Sequence, residues 1–393
     1  MGEILGIGCP HGPHMRFTDE TMANVYFRIN LRNAKTPAVL RDPKNWPAKM
    51  RAEWGNDEGV SAARRHREEV INGFRAARQA LDQFNPDFVL MFGDDQYENF
   101  KEDILPPFCV YAFDEFAIGG AKGGRRNEIG PNGILNTGVS NLGIPMERPP
   151  QQSRIAGSKK IGTLLAGELV NKGFDVGWSS QFHHSTGLGH AFTFTLDYLD
   201  WDRKGFPYPL IPFQVNCYGE DMRMPALGAN EWIGRLPDRS EVDKILSKGG
   251  VLPPQAPPVW RCYDLGKAVA EIIAASPYRA CIIGSSSWSH ASLTDLHGFL
   301  WGDVESDREH YDQLKAGRFD QWRNLDADKL RSSGQHEMRN WICLAGAMEG
   351  REAQILTYAE SYIFNSSKCV ALFPPENARD AREKATKPVS HAC

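Results

Sequence analysis

Residues 84–95 read FNPDFVLMFGDD, and this stretch decides the fold class. The run 88–92 is apolar at every position, which predicts a buried strand that the following glycine ends. Upstream, residues 58–84 carry apolar side chains three and four residues apart, which predicts a helix that Asn85-Pro86 stops. A helix that leads into a fully apolar strand is typical of an α/β sheet with helices on its faces.

The same order of elements returns elsewhere in the chain. Residues 4–7 form a candidate first strand, and the two further predicted pairs of helix and strand are 158–172 with 176–178 and 265–273 with 280–283. Alternating helices and strands of this kind favour one α/β layer structure over separate helical and sheet domains.

The chain divides into one long folded region and three atypical segments. We predict a single α/β domain over residues 1–373. Residues 16–57 lack clear periodicity and are predicted to be a partly helical insertion or lid. Residues 121–157 are rich in Gly, Pro, Asn and Arg, which predicts a long loop. Residues 374–393 form a charged C-terminal tail that we expect to fray.

Composition excludes several classes of function. The chain has 393 residues, of which 45 are Lys or Arg and 49 are Asp or Glu, so the net charge of -4 argues against a nucleic-acid partner. No apolar run approaches the ~20 residues that cross a bilayer, and the N-terminus lacks the pattern of a secretory signal. The 8 cysteines are scattered without a CxxC pair, which predicts buried free thiols in a reducing cytoplasm.

Four predicted strands end in residues that can bind metals or transfer protons. The four segments are CPHGPH at 9–14, GDD at 93–95, QFHH at 181–184 and SSSWSH at 285–290. Sites in open α/β sheets form outside the carboxyl ends of strands, so these segments can converge on one pocket. Histidine together with carboxylate suits divalent iron, manganese or zinc, and the combination predicts a metal site.

Each segment also has a purely structural interpretation. His11 and His14 can be loop histidines that bond locally, and Asp94-Asp95 can form a turn and cap a helix. His290 can cap a helix after the serine-rich turn. Glu337 precedes an apolar helical pattern and can be a first-turn glutamate that the helix dipole stabilises. The residues alone leave these alternatives open.

Taken in order, these segments resemble the class III extradiol ring-cleavage dioxygenases, in particular catalytic subunits of the protocatechuate 4,5-dioxygenase type. The segments that carry the resemblance are 9–13, 86–108, 210–216, 284–290 and 333–348. The Ser-His turn at 289–290 and the Glu-x-x-x-Trp pattern at 337–341 are the most specific. The resemblance implies a central mixed sheet flanked by helices, with residues 1–373 as the catalytic domain.

The resemblance also implies a mononuclear non-haem Fe(II) site with His11, Asp95 and Glu337 as ligands. Asp95 aligns with a histidine of the family, so two further possibilities stay open: Asp94 as the ligand, or His14 as a second imidazole. His290 falls at the position of the family's acid/base histidine. His184 falls at the position of a catalytic, substrate-contacting histidine, and we expect His14 to contact substrate as well.

The implied reaction inserts both atoms of O₂ into a hydroxylated aromatic or N-heteroaromatic ring that is catechol-, aminophenol- or hydroxypyridone-like. An aspartate ligand would make the centre less positive, which favours a ring that binds with less negative charge. A metal-dependent hydrolase or decarboxylase on the same fold and a non-catalytic binding member are the competing interpretations. We expect a homo-oligomer, such as a dimer, with a small aromatic substrate and no nucleic-acid or membrane partner.

Overall fold

The computed structural model describes residues 2–31, 36–96, 98–101, 103–118, 153–185, 187–221, 247–249 and 254–376. The strands are β1 (Glu3–Cys9), β2 (Phe88–Asp94), β3 (Phe108–Tyr111), β4 (Glu115–Ile118), β5 (Ser153–Ala156), β6 (Gly177–Ser179), β7 (Leu210–Val215), β8 (Arg279–Ser285), β9 (Gln354–Ala359) and β10 (Lys368–Phe373).

Eight of these strands form one sheet in the order β6-β3-β7-β2-β8-β1-β10-β9. The four central strands β7, β2, β8 and β1 run parallel, whereas β3, β10 and β9 pair antiparallel with their neighbours towards the sheet centre. β4 and β5 form a separate antiparallel pair. The predicted mixed sheet is therefore confirmed.

The described helices are α1 (Asp19–Leu31), α2 (Ala48–Trp54), α3 (Val60–Phe84), α4 (Lys159–Asn171), α5 (His190–Leu199), α6 (Val259–Ala274), α7 (Val304–Lys315), α8 (Ala327–Ser332) and α9 (Met338–Ala347). α3 ends where the sequence predicted, because Asn85 adopts the left-handed conformation (φ 47°) and a proline follows. Helices cover both faces of the sheet, as predicted.

Alternate residues of β2 face opposite sides of the sheet. Val89 and Met91 belong to the apolar core under α3, and Leu90 and Phe92 belong to the core under α6 and α9. Such alternation follows from the two-residue period of a strand, and full burial of each side chain contributes about 1.5–3 kcal/mol. β2 is buried on both faces, which explains its continuous apolar sequence.

Two glycines let α6 and α9 approach closely. A Cβ atom at Gly266 would lie 1.8 Å from the carbonyl oxygen of Cys343, and one at Gly346 would lie 1.9 Å from that of Tyr263. Any larger side chain would push the helices apart. This contact holds α9 against the sheet, and Glu337 directly precedes α9.

The atypical segments are only partly described. Within 16–57, the described residues include α1 and α2, and α1 packs against α3. Of the predicted loop 121–157, residues 121–152 lie outside the described residues, and 153–156 form β5, which the sequence did not predict. Residues 377–393 also lie outside them. Within the described ranges, no helix combines the length and apolar character needed to cross a bilayer. The assignment of 1–373 to one domain stays a prediction.

Candidate active site

The parallel strands bring their polar carboxyl ends to one edge of the sheet. Cys9 of β1 pairs in register with Ser285 of β8, so the segments that follow both strands leave the sheet side by side. His11 Nε2 lies 3.2 Å from Glu337 Oε2 and 3.7 Å from Asp94 Oδ1. His290 Nε2 lies 3.6 Å from the same Glu337 oxygen. Three of the residues predicted for the site therefore meet: His11, His290 and Glu337.

The His11 ring is held by its other nitrogen. Nδ1 lies 3.0 Å from both the carbonyl oxygen and the hydroxyl of Ser285. The Ser285 hydroxyl donates to the carbonyl of Ala191, 2.9 Å away. An imidazole that donates Nδ1–H to a carbonyl keeps its Nε2 lone pair available, which is the usual arrangement of a metal-binding histidine. In His11 that lone pair faces the two carboxylates.

Only one of the two carboxylate oxygens of Glu337 has hydrogen-bond partners. Oε1 accepts hydrogen bonds from the Tyr218 hydroxyl at 2.6 Å and from Gln96 Nε2 at 2.7 Å. Oε2 is buried and has no hydrogen-bond partner. Burial alone would raise the pKa of Glu337, but His290, His11 and the hydrogen bonds bring it below its ordinary value. A buried ionised oxygen in this state fits a bound cation.

Asp94 ends β2 and faces the same cluster. Its Oδ1 accepts from Asn340 Nδ2 and its Oδ2 from Gln96 Nε2, both at 3.1 Å. Burial and the Glu337 carboxylate raise the pKa of Asp94 to about 6, and His11 opposes the shift. Two carboxylates and an imidazole at these distances form a donor set that suits a divalent cation.

The structure does not bring Asp95 to this cluster, which corrects its predicted placement. Its carboxylate accepts the backbone N–H groups of Glu98 at 2.9 Å, Asn99 at 2.9 Å and Phe100 at 3.2 Å. β2 ends at Asp94, whose carboxylate lies near His11, whereas Asp95 belongs to the segment that follows the strand. Asp94 takes the position beside His11, and Asp95 caps the following turn.

His290 is oriented towards Glu337 by its own backbone. Its Nδ1 lies 3.1 Å from the carbonyl oxygen of Trp288, which leaves Nε2 on the side of the carboxylate. Burial lowers the pKa of His290, and Glu337 opposes this shift. The neutral ring can therefore accept a proton at Nε2.

Residues 250–371 match the family model described as "Catalytic LigB subunit of aromatic ring-opening dioxygenase". This part of the chain is therefore similar to the catalytic LigB subunit. The matched residues include both His290 and Glu337.

Two curated relatives match a larger part of the chain. The "2,3-dihydroxyphenylpropionate/2,3-dihydroxicinnamic acid 1,2-dioxygenase 2" of Pseudomonas putida is 24% identical over 307 residues, which cover 74% of this chain and 85% of the relative. The corresponding 1,2-dioxygenase of Comamonas testosteroni is 24% identical over 293 residues, 71% and 80% of the two chains. The predicted resemblance to extradiol ring-cleaving dioxygenases is confirmed.

Two histidines predicted to touch substrate occupy different environments. His184 is exposed, and its Nε2 lies 2.9 Å from Asp103 Oδ1. His14 is buried, and a Cβ atom at Gly12 would lie 2.9 Å from its ring. Burial lowers the pKa of His14 well below its ordinary value, and the positive charge of Lys368 adds to this shift. The substrate-binding role of both residues stays a prediction.

Sequence reasoning missed His190, which lies beside His11 and Asp94 in this cluster. Donor atoms of His11, Asp94 and His190 all lie within 4.8 Å of one another. The His190 and His11 rings meet edge to face with centroids 5.1 Å apart. His190 starts the apolar helix α5 directly after a glycine, and this position at an element boundary is the signal that could have found it.

Proposed function

We propose that this chain is an extradiol-type dioxygenase that inserts both atoms of O₂ into a hydroxylated aromatic ring at a mononuclear Fe(II) centre. The single observation that carries the proposal is the buried Glu337 carboxylate, whose Oε2 has no hydrogen-bond partner and lies 3.2 Å from His11 Nε2 and 3.6 Å from His290 Nε2. The names of the relatives support ring cleavage over hydrolysis or decarboxylation.

In this proposal, His11, Asp94 and Glu337 would hold the iron. When bound, Fe(II) supplies a redox-active centre with open positions at which the ring oxygens and O₂ can meet. Tyr218 and Gln96 keep the Glu337 carboxylate in one orientation through its Oε1. The donor side chains are buried, so bulk water is excluded from them.

His290 is the proposed proton carrier. Its Nε2 accepts a proton from a ring hydroxyl as the substrate enters, and it later returns the proton to the opened product. General acid–base catalysis of this kind contributes typically ~10²–10⁴-fold in rate. The neutral state that burial favours for His290 is the state required for the first transfer.

Catechols are the proposed substrate class, because the relatives are named for 2,3-dihydroxyphenyl compounds. The test is O₂ consumption by protein loaded anaerobically with Fe(II), with catechols, aminophenols and hydroxypyridones in separate assays. We expect one O₂ consumed per catechol ring opened. An iron-loaded protein that consumes no O₂ with any ring class, or that releases CO₂ without O₂, would contradict the proposal.

Matched variants of the two neighbouring aspartates test the ligand assignment. We expect Asp94→Asn to weaken Fe(II) binding by more than ~100-fold, because the loss of a ligand costs more than the loss of a residue that supports one. Asp95→Asn should keep metal affinity and instead lower the free energy of unfolding by about 1–3 kcal/mol, because charged hydrogen bonds to the turn weaken. Anaerobic titration and denaturant unfolding measure the two effects. The reverse pattern would restore Asp95 as the ligand.

Two further predictions concern assembly and compartment. We propose a homo-oligomer, which light scattering of the full chain tests. We also propose a reducing cytoplasm as the compartment, because the 7 described cysteines are free and buried.

A further inference from the structure

A buried carboxylate fixes the ring of His190. His190 Nδ1 lies 2.8 Å from Glu98 Oε1, and the His190 backbone N–H also donates to Glu98 Oε2 at 3.0 Å. The Glu98 side chain has no exposed surface, and that of His190 is 6% exposed. Because Nδ1 is hydrogen-bonded to Glu98, Nε2 is the nitrogen that remains available for another partner.

The backbone around this pair is shaped for close contact. A Cβ atom at Gly189 would lie 2.2 Å from Glu98 Oε2, so any other residue there would displace the carboxylate. α5 packs against β2, which ends at Asp94, and against β8. The ring of His190 is therefore positioned from two sides, by the carboxylate and by the helix that carries it.

His190 also lies beside the proposed iron site. His190, His11 and Asp94 each offer a donor atom within 4.8 Å of the other two. Donors that each bind one ion at ~2.0–2.2 Å lie up to ~4 Å apart, so small shifts close this triangle around a cation. A histidine that gives its other nitrogen to a carboxylate is the common arrangement at metal centres, because the carboxylate fixes the tautomer and raises ligand basicity.

We propose that His190 supplies a second imidazole to the metal centre and that Glu98 is its positioning residue. The inference rests on the proposed metal site and deepens it. The centre then has two imidazoles, from the segment after β1 and from α5, together with the carboxylates of Asp94 and Glu337. Imidazole and carboxylate donors in this mixture select divalent iron, manganese or zinc over calcium or magnesium.

The test is anaerobic metal titration of the full chain, with Co(II) as a spectroscopic probe and Fe(II) as the functional metal. We expect His190→Ala to weaken binding of both ions at least ~10–100-fold, and Glu98→Gln to weaken it towards the lower end of that range. The Co(II) absorption bands should shift in His190→Ala, because a nitrogen ligand is lost, and keep their positions in Glu98→Gln.

His310→Gln is the matched control. His310 is also buried, and its Nε2 lies 3.1 Å from Gln335 Oε1 rather than near a proposed metal ligand, so its loss reports the general cost of removing a buried histidine. We expect parental affinity and Co(II) bands in this variant. If His190→Ala also keeps both while its melting temperature falls, His190 and Glu98 form only a structural ion pair and the inference is wrong.

These outcomes are distinct from failure of the proposed function. A parent protein that binds Fe(II) through His190 but consumes no O₂ with any ring would contradict ring cleavage and leave the ligand inference standing. If the parent protein cleaves catechols and His190→Ala binds metal with parental affinity, the ligand inference is wrong and the proposed function stands.

Discussion

Glu337→Gln is expected to leave a folded protein that does not retain iron. The substitution keeps the size of the side chain and removes the negative charge from Oε2, the oxygen without a hydrogen-bond partner. A ligand lost outright should weaken Fe(II) binding by more than ~100-fold, the upper end of the cost of losing a supporting partner. Iron per chain after anaerobic loading and desalting measures the effect, and circular dichroism checks the fold.

The competing explanation is a first-turn glutamate that stabilises helix α9 by its charge. Glu305→Gln is the control, because Glu305 is an exposed glutamate in the first turn of α7. A helix-dipole contribution is worth ~0.3–1 kcal/mol in either helix and has no influence on iron content. If Glu337→Gln retains a full equivalent of iron and loses only stability on this scale, the ligand assignment is wrong.

The parts of this protein that sequence predicts well depend on local pattern. Helix α3 and strand β2 follow from apolar spacing and an Asn-Pro stop within one short stretch. His11 and Glu337 follow from polar residues at the ends of such elements, together with the family resemblance. The structure brings these two side chains within 3.2 Å, although 326 positions separate them, because His11 follows β1 and helix α9, which Glu337 precedes, packs against β1, β2 and β8.

Sequence patterns cannot distinguish the roles of two adjacent residues of the same type. Asp94 and Asp95 have the same chemistry and nearly the same alignment, and the end of β2 between them decides which carboxylate faces His11. A one-residue difference in where the strand ends would exchange their roles. Sequence patterns locate strand ends to within a few residues, which is too coarse for this choice.

Long-range partners leave no local signal at all. Tyr218 and Gln96 both bond to Glu337 Oε1 from different loops, and Glu98 reaches His190 across 92 positions. No spacing in the sequence links Tyr218, Gln96 or Glu98 to the residue that it contacts. The family pattern also predicts His184 as a site residue, and the structure places it at the surface beside Asp103, so its role stays a prediction.

His290→Gln is expected to keep iron and lose ~10²–10⁴-fold in turnover, the usual effect of removing a positioned acid/base. The side chain does not cap the short helix that follows it, since its Nδ1 turns back to the Trp288 carbonyl and leaves Nε2 near Glu337. Glutamine can keep a hydrogen bond to that carbonyl but cannot take up a proton.

Iron content, melting temperature and turnover measured on one preparation of His290→Gln separate a catalytic role from a structural one. A proton carrier predicts full iron content, a fall in kcat and the loss of the limb of the pH–rate profile that reports its titration. A structural histidine predicts a lower melting temperature with an unchanged rate per folded molecule and an unchanged profile. A variant that loses iron together with turnover would instead make His290 a ligand, because its Nε2 lies only 3.6 Å from the Glu337 oxygen that faces the proposed metal.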